Sequence, residues 1–338
     1  MELIIKEYRG DIPDLNHYGH IAIAGADGKI LYECGDPEHI TYSRSAAKPI
    51  QAIPVIESGA IDKYGITEKE LAVMCSSHQG ENFHTEAVLS ILEKAGLNEQ
   101  YLLCGTHEPK TDYMIKKFRE EGITPTEAHN NCSGKHAGML ITAKMLGKSL
   151  NNYYNHTHPI QNKITQTIAE ICDYDVNTIA IGIDGCGVPV HAMPLYKFAQ
   201  GYARMSSPEL LAPYRADSVN LVTKAMRGHP EMVGGTNDFT SELMHVFGDR
   251  LFCKLGVNGF LAIGLAGKGI GIAIKMEDGQ PATLPIAVVK TLMEIKVISE
   301  EEATGLKHYE SAKVIKNCRG EAVGTRQAVF KLKESGRI

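Results

Sequence analysis

Residues that read as β-strand lie at both ends of this chain, and residues that read as helix fill its middle. "HIAIAGADGKILYECG" (20–35) is two β-rich runs joined around Asp27-Gly28, a pair suited to a tight hairpin turn. The opening residues, "MELIIKEYRGD", also read as a strand. Near the other end, "CKLGVNGFLAIGLAGKGIGIAIKMEDG" (253–279) reads as short strands broken by glycines, and "TRQAVFKLK" (325–333) as a last strand. Between them, "TEKELAVMCSSH" (67–78), "NFHTEAVLSILEKAGL" (82–97), "GKHAGMLITAKMLG" (134–147) and "PIQNKITQTIAEICDY" (159–174) carry apolar residues at helical spacing. Pro159 suits a first helical position. The expectation is an α+β fold. One sheet is built from both ends (about 1–40 and 250–338), and a mainly helical region (about 45–230) is inserted between them. No internal repeat, low-complexity tract or linker divides the chain.

Composition narrows the function. With 338 residues and 43% hydrophobic content, the chain can bury a large core. Its formal charge of −5 argues against a nucleic-acid binder, which is usually basic. No stretch approaches the roughly 20 apolar residues that span a bilayer. The first residues lack the basic and apolar regions of a secretory signal. A cytoplasmic protein is expected. The eight cysteines are scattered with no CxxC pair, so in a reducing compartment most should be free thiols.

Several polar motifs interrupt the apolar pattern. In "SRSAAKPIQ" (43–51), Ser45 and Lys48 are three residues apart and share a face on a helix. A serine is a weak nucleophile until a base takes its proton, and a lysine serves when burial or a nearby positive charge lowers its pKa. Arg44 is a candidate for that charge. A chain of this length holds roughly one SxxK by chance, so the spacing alone decides little. Pro49 disfavours helical geometry at Lys48, a local conflict more expected at a functional site.

In "CSSHQGENFH" (75–84), Ser77 or His78 can relay a proton or contact substrate, although capping and turn chemistry is the plainer reading. "HNNCSGKHAGML" (129–140) is the densest polar cluster. Ser133 is a candidate N-cap, and the amides of that helix start favour negative charge. "IAIGIDGCGVPVHAMPL" (179–195) reads as an apolar strand ending in Asp184-Gly185-Cys186-Gly187, either a site or a tight turn with a buried thiol. Cys132 and Cys186 suit zinc, yet a catalytic cysteine paired with His78 or His136 can be written equally well. Lys254, in "CKLGVNG" (253–259), stands on an expected strand. The chain has no P-loop, HExxH or GxSxG.

The order Ser-x-x-Lys, then a second Ser motif, then Lys-x-Gly loosely follows the penicillin-recognising acyl-serine enzymes. Ser77-His78-Gln79 and Leu255 depart from that pattern and argue against a β-lactamase. Taken together, "SRSAAKPIQ", "SSHQGE", "HNNCSGKHAGML", "DGCGVP", "VGGTNDF" and "KLGVNG" resemble the asparaginase family typified by the rhizobial inducible L-asparaginase, from about residue 8 to 278. The resemblance implies a serine-β-lactamase/glutaminase-like fold forming a single catalytic domain. It also implies hydrolysis of L-asparagine to aspartate and ammonia, and a homodimer. It places two Ser–Lys pairs at the centre, Ser45 with Lys48 and Ser77 with Lys254. The first pair is preferred as nucleophile and base, with the roles reversible. The resemblance further implies a zinc held by Cys132, Lys135 and Cys186, with Arg44, His136 and Asp184 lining the site. One departure stands out: no arginine lies near Asn237 in "VGGTNDF" (233–239).

Overall fold

The computed structural model describes residues 1–335. From the N-terminal end come β1 (Glu2–Arg9), β2 (Ile12–Gly25) and β3 (Ile30–Cys34), then a short β4 (Ile40–Tyr42). The helical middle contains α1 (Lys48–Glu57), α2 (Ala60–Tyr64), α3 (Glu68–Met74), α4 (Asn82–Lys94) and α5 (Asp112–Glu121). It continues with α6 (Ser133–Met145), α7 (Pro159–Cys172), β5 (Ala180–Ile183), β6 (Pro189–Pro194), α8 (Leu195–Ser206) and α9 (Pro213–Gly228). The chain then returns through β7 (Leu251–Leu255), β8 (Phe260–Leu265), β9 (Ile270–Met276), β10 (Val314–Lys316), β11 (Ala322–Ala328) and β12 (Lys333–Glu334).

The fold is α+β, and both chain ends build one antiparallel sheet in the order β10-β11-β1-β2-β9-β8-β7. β3 lies beside β2, and β12 beside β3. The β2–β3 hairpin turns where Asp27-Gly28 predicts it. Gly25 N donates to Lys29 O at 2.9 Å, and Gly28 takes the left-handed φ of +89° that glycine reaches without strain. β8 is buried along its whole length. α8 lies across β2, β8 and β9. At Gly271 a Cβ would come within 1.9 Å of the Ala199 carbonyl oxygen, so the helix reaches the sheet only because this residue is glycine.

The middle is not all helix. The apolar run at 179–195 becomes a hairpin, β5 to β6, which joins β4 in a separate three-stranded sheet. The C-terminal sheet region in turn contains a buried helix, Thr283–Glu294, between β9 and β10. Apolar alternation marks a strand but does not name its partner.

Two helices set the stage for the site. α3 starts with a capping box: Glu70 N donates to Thr67 Oγ1, and Glu70 Oε2 accepts from Thr67 N. α3 ends at Met74 and delivers Ser76 and Ser77 to the surface of the core. α6 packs onto it so closely that a Cβ at Gly134 would lie 2.1 Å from Val73 O. That contact brings residues 132–136 beside the end of α3.

Candidate active site

Lys48 and Lys254 converge on one hydroxyl. Lys48 Nζ lies 3.1 Å from Ser77 Oγ, and Lys254 Nζ lies 2.9 Å from the same oxygen. Each lysine is 1% exposed, an extreme burial for a side chain of this type. Lys48 also donates to Ser76 O at 2.6 Å and Asn131 O at 3.0 Å, and Lys254 to Leu255 O at 2.9 Å. Burial lowers the pKa of both. For Lys254, burial and then the neighbouring Lys48 charge bring it to about 7. Burial is also the main cause at Lys48, and the positive charge of Lys135 adds to it. Arg44, the expected source of that effect, does not figure among the causes.

Ser45 sits in a 3-10 turn, Arg44–Ala47, that runs directly into α1. Lys48 adopts helical dihedrals, φ −57° and ψ −39°, against the expectation drawn from Pro49. At a helix start the missing proline N–H has no helical acceptor to lose, and the bonds of the buried Lys48 amine outweigh the local preference. Ser45 and Lys48 are joined through the backbone, Lys48 N–H to Ser45 O, and not through their side chains. Among the described residues Ser45 Oγ has no hydrogen-bond partner. Arg44 holds a left-handed φ of +49°, unusual for a non-glycine residue and a form of strain that collects at functional sites.

Ser45 lines a cavity of about 240 Å³, shared with Arg44, Asn131, Cys132, Asp184 and Cys186. On its wall, Arg44 Nη2 and Asp184 Oδ1 pair at 2.8 Å. Burial opposes ionisation of Asp184, but Lys135, the Gly185 N–H and Arg44 hold its carboxyl below the usual range.

Cys132, Lys135 and Cys186 also meet. Lys135 Nζ is 3.1 Å from Cys186 Sγ. Donation from the Cys132 thiol, with Lys135 adding to it, brings Cys186 down to about 4. The same bond pushes Cys132 up to about 12. Burial works against the Lys135 charge, yet the two cysteines beside it raise its pKa. Two soft sulfurs that line the cavity and an amine beside them fit a three-donor zinc site, at the cost of removing protons from Cys132 and Lys135. A different trio, His20, His39 and Glu277, also brings donor atoms within 4.8 Å. There His20 Nδ1 accepts from Asp36 N at 2.9 Å, so the neutral ring carries its proton on Nε2 and has no lone pair free for a metal.

Other expected residues make their hydrogen bonds outside the serine–lysine cluster. His78 Nδ1 accepts from Gly80 N at 3.1 Å, so its Nε2 donates to Ser133 Oγ at 2.8 Å. Ser133 then donates to Ala128 O at 2.8 Å and is the first residue of α6, not its cap. The cap position belongs to Cys132, whose side chain makes no capping bond. His136 is fully buried and brought down to about 3 by burial and Lys135, with Nδ1 2.7 Å from Tyr153 OH and Nε2 without a partner. It is not among the residues lining the cavity. The 233–239 segment backs the 76–81 loop: Ser77 N donates to Val233 O at 3.0 Å, and Thr236 N to Glu81 Oε2 at 2.9 Å.

Sequence reasoning missed His107 and Lys110, which reach the cavity from an irregular loop, and Val257, just past β7. The loop has no periodicity to read. Its only signal is a histidine and a lysine close together in "CGTHEPK" (104–110).

A buried serine–lysine cluster beside a small polar cavity suits acyl transfer. It belongs to the L-asparaginase II family, whose profile matches residues 5–328. No match was found among curated proteins. Solved structures give distant likenesses. One described as Mglu in its native form shares 13% identity, covering 83% of this chain and 65% of that one, with a TM-score of 0.44. A β-lactamase from Mycobacterium bovis shares 13%, covering 82% and 94%, with a TM-score of 0.42. A Bacillus glutaminase shares 13%, covering 82% and 91%, with a TM-score of 0.39. The chain spans just under two thirds of the length of Mglu.

Proposed function

We propose that the protein hydrolyses the side-chain amide of L-asparagine to L-aspartate and ammonia. The observation that carries this reading is the Ser77 hydroxyl held between two buried amines, 3.1 Å from Lys48 and 2.9 Å from Lys254.

Proton inventory supports one division of roles. Ser77 has one hydrogen to give, so only one lysine can accept it. Lys48 faces three acceptors and uses all three N–H groups as an ammonium. Lys254 has one carbonyl partner besides Ser77, and a pKa of about 7 leaves a large neutral fraction at neutral pH. Lys254 is the base. As Ser77 Oγ bonds to the amide carbon, its proton moves to Lys254 Nζ, and the Lys48 ammonium steadies the negative charge. The C–N bond then breaks, and Lys254 returns the proton to the leaving nitrogen, giving ammonia. Water adds to the acyl-serine, Lys254 takes the water's proton, the C–O bond breaks and Ser77 regains its hydrogen. The Arg44–Asp184 pair on the cavity wall offers opposite charges to the carboxylate and ammonium of an amino acid, and about 240 Å³ suits one such molecule.

A second reading keeps Ser45 as nucleophile and Lys48 as base. It is favoured by the position of Ser45 on the cavity wall, beside a strained Arg44, with its hydroxyl free. Trapping the acyl-enzyme with a slow ester substrate and mapping the modified peptide separates the two. Label on Ser77 supports the first reading, and label on Ser45 sinks it. A panel with glutamine and small peptides tests substrate choice, and binding of asparagine without ammonia release would point to a non-catalytic amino-acid-binding protein.

Zinc held by Cys132, Cys186 and Lys135 would polarise a carbonyl at that wall. A cytoplasmic homodimer completes the proposal. Among the described residues no helix is long and apolar enough to cross a membrane, and seven of the eight free cysteines are buried. Light scattering tests the dimer.

A further inference from the structure

His107 lies outside the serine–lysine cluster, yet hydrogen bonds on the two sides of residue 131 connect it to that cluster. Its Nδ1 is 2.8 Å from Glu108 O, a carbonyl that can only accept, so Nδ1 carries the proton. Its Nε2 is 3.1 Å from Asn131 N, a backbone group that can only donate, so Nε2 presents a lone pair. The two bonds fix one tautomer, in which Asn131 Oδ1, 3.3 Å from the same Nε2, receives no proton from it, and the ring lines the cavity. On the far side of residue 131, Asn131 O accepts from Lys48 Nζ at 3.0 Å, and Lys48 Nζ reaches Ser77 Oγ at 3.1 Å.

Residue 131 is held through the two peptide groups that flank its Cα. It sits in the turn between a short 3-10 segment ending at His129 and the start of α6, where the backbone has no ladder of its own. Its neighbour Asn130 is tied on three sides, to Cys104 O, Gly105 O and Cys132 N. Asn131 N has the His107 nitrogen as its hydrogen-bond acceptor. The oxygen that meets Lys48 belongs to the peptide shared with Cys132 N, which donates to Asn130 Oδ1 at 2.8 Å, while His107 receives the N–H of the preceding peptide across the same Cα. Lys48 is 1% exposed and relies on that oxygen as one of two carbonyls that compensate its buried charge.

We infer that His107 is a positioning residue. By fixing the peptide before the Asn131 Cα it holds residue 131 in the turn from which its carbonyl meets Lys48, and it links the loop that carries it to the reaction centre. The inference rests on the proposed amide hydrolysis for its kinetic readout and on nothing but geometry for its structural one. A substrate-binding role alone would appear in KM. A positioning role appears in kcat, because a misaimed Lys48 weakens the transition state more than the ground state.

The test compares three variants with L-asparagine as substrate. His107→Ala and His107→Phe remove the acceptor, and the second keeps the ring's bulk. His107→Gln places an amide oxygen near the lost Nε2. The expected result is a fall in kcat of about 10- to 100-fold for Ala and Phe, with KM within about 3-fold, and recovery to within about 3-fold of wild type for Gln. Equal loss in Gln and Ala, or a loss confined to KM, overturns the inference. A crystal structure of the Phe variant adds a readout independent of activity. Lys48 Nζ should leave Asn131 O or Ser77 Oγ, and an undisturbed pair of contacts overturns the inference even if the wild-type protein proves inactive on asparagine. That inactivity would instead count against the proposed function.

Discussion

Lys254 Nζ stands 2.9 Å from Ser77 Oγ, although 177 residues separate the two in the chain. One comes from a β-strand of the main sheet and the other from the loop after α3, so the contact exists only when sheet and helical region are docked. Lys254→Met should lower kcat for asparagine by about 10²- to 10⁴-fold, the usual contribution of a positioned base, with a smaller change in KM. Ser77→Ala should match it, and Ser45→Ala should cost less than either. Steady-state ammonia release measures all three.

The near-neutral Lys254 sets a pH profile. The base works only when unprotonated, so kcat/KM should climb as pH rises through about 7 and level off above it. A profile flat from pH 5 to 8 would remove Lys254 from the role.

The same lysine affects stability, with a definite sign. Its pKa is about 7 in the folded chain against 10.5 for the free side chain, so between those values the unfolded chain binds the extra proton. Stability from this group therefore rises with pH across that window and is constant below it. Lys254→Met should flatten this part of the slope when urea midpoints are compared at pH 7 and 9.

Arg44 and Asp184 should govern substrate capture. Asp184→Asn removes the partner of a half-buried guanidinium and the anion proposed to meet the substrate's ammonium. KM should rise at least about tenfold, roughly the 1.4 kcal/mol of one weakened charged contact, with kcat reduced less.

Zinc content gives a direct check. Purified protein should carry about one zinc per chain, Cys186→Ser protein should carry almost none, and zinc uptake by the stripped protein should release about two protons, from Cys132 and Lys135. Equal metal in both proteins would exclude this donor set.

Gly134→Ala tests the helix contact that holds the site together. The added Cβ would meet Val73 O at 2.1 Å and push α6 from α3. A loss of about 1–3 kcal/mol is expected in denaturant unfolding, with weakened activity because Ser77 and residues 132–136 move apart.

Local pattern determined a good deal. Alternating and β-branched runs marked the strands, helical spacing marked α3, α4, α6 and α7, and Asp27-Gly28 marked the hairpin, because each depends on residues only a few positions apart. The motif order identified a set of reactive side chains. Tertiary structure decided what those side chains meet. Lys48 turned from its sequence neighbour Ser45 toward Ser77, because a buried ammonium needs acceptors and the carbonyls of Ser76 and Asn131 are there to supply them. Arg44 was committed to Asp184, 140 residues away, and not to the lysine. Ser133 served His78 in place of capping its helix, and His107 entered the site from a loop with no pattern to read. Sequence spacing fixes which groups share a local face. Which distant donors and acceptors satisfy a buried charge is set only when the elements pack.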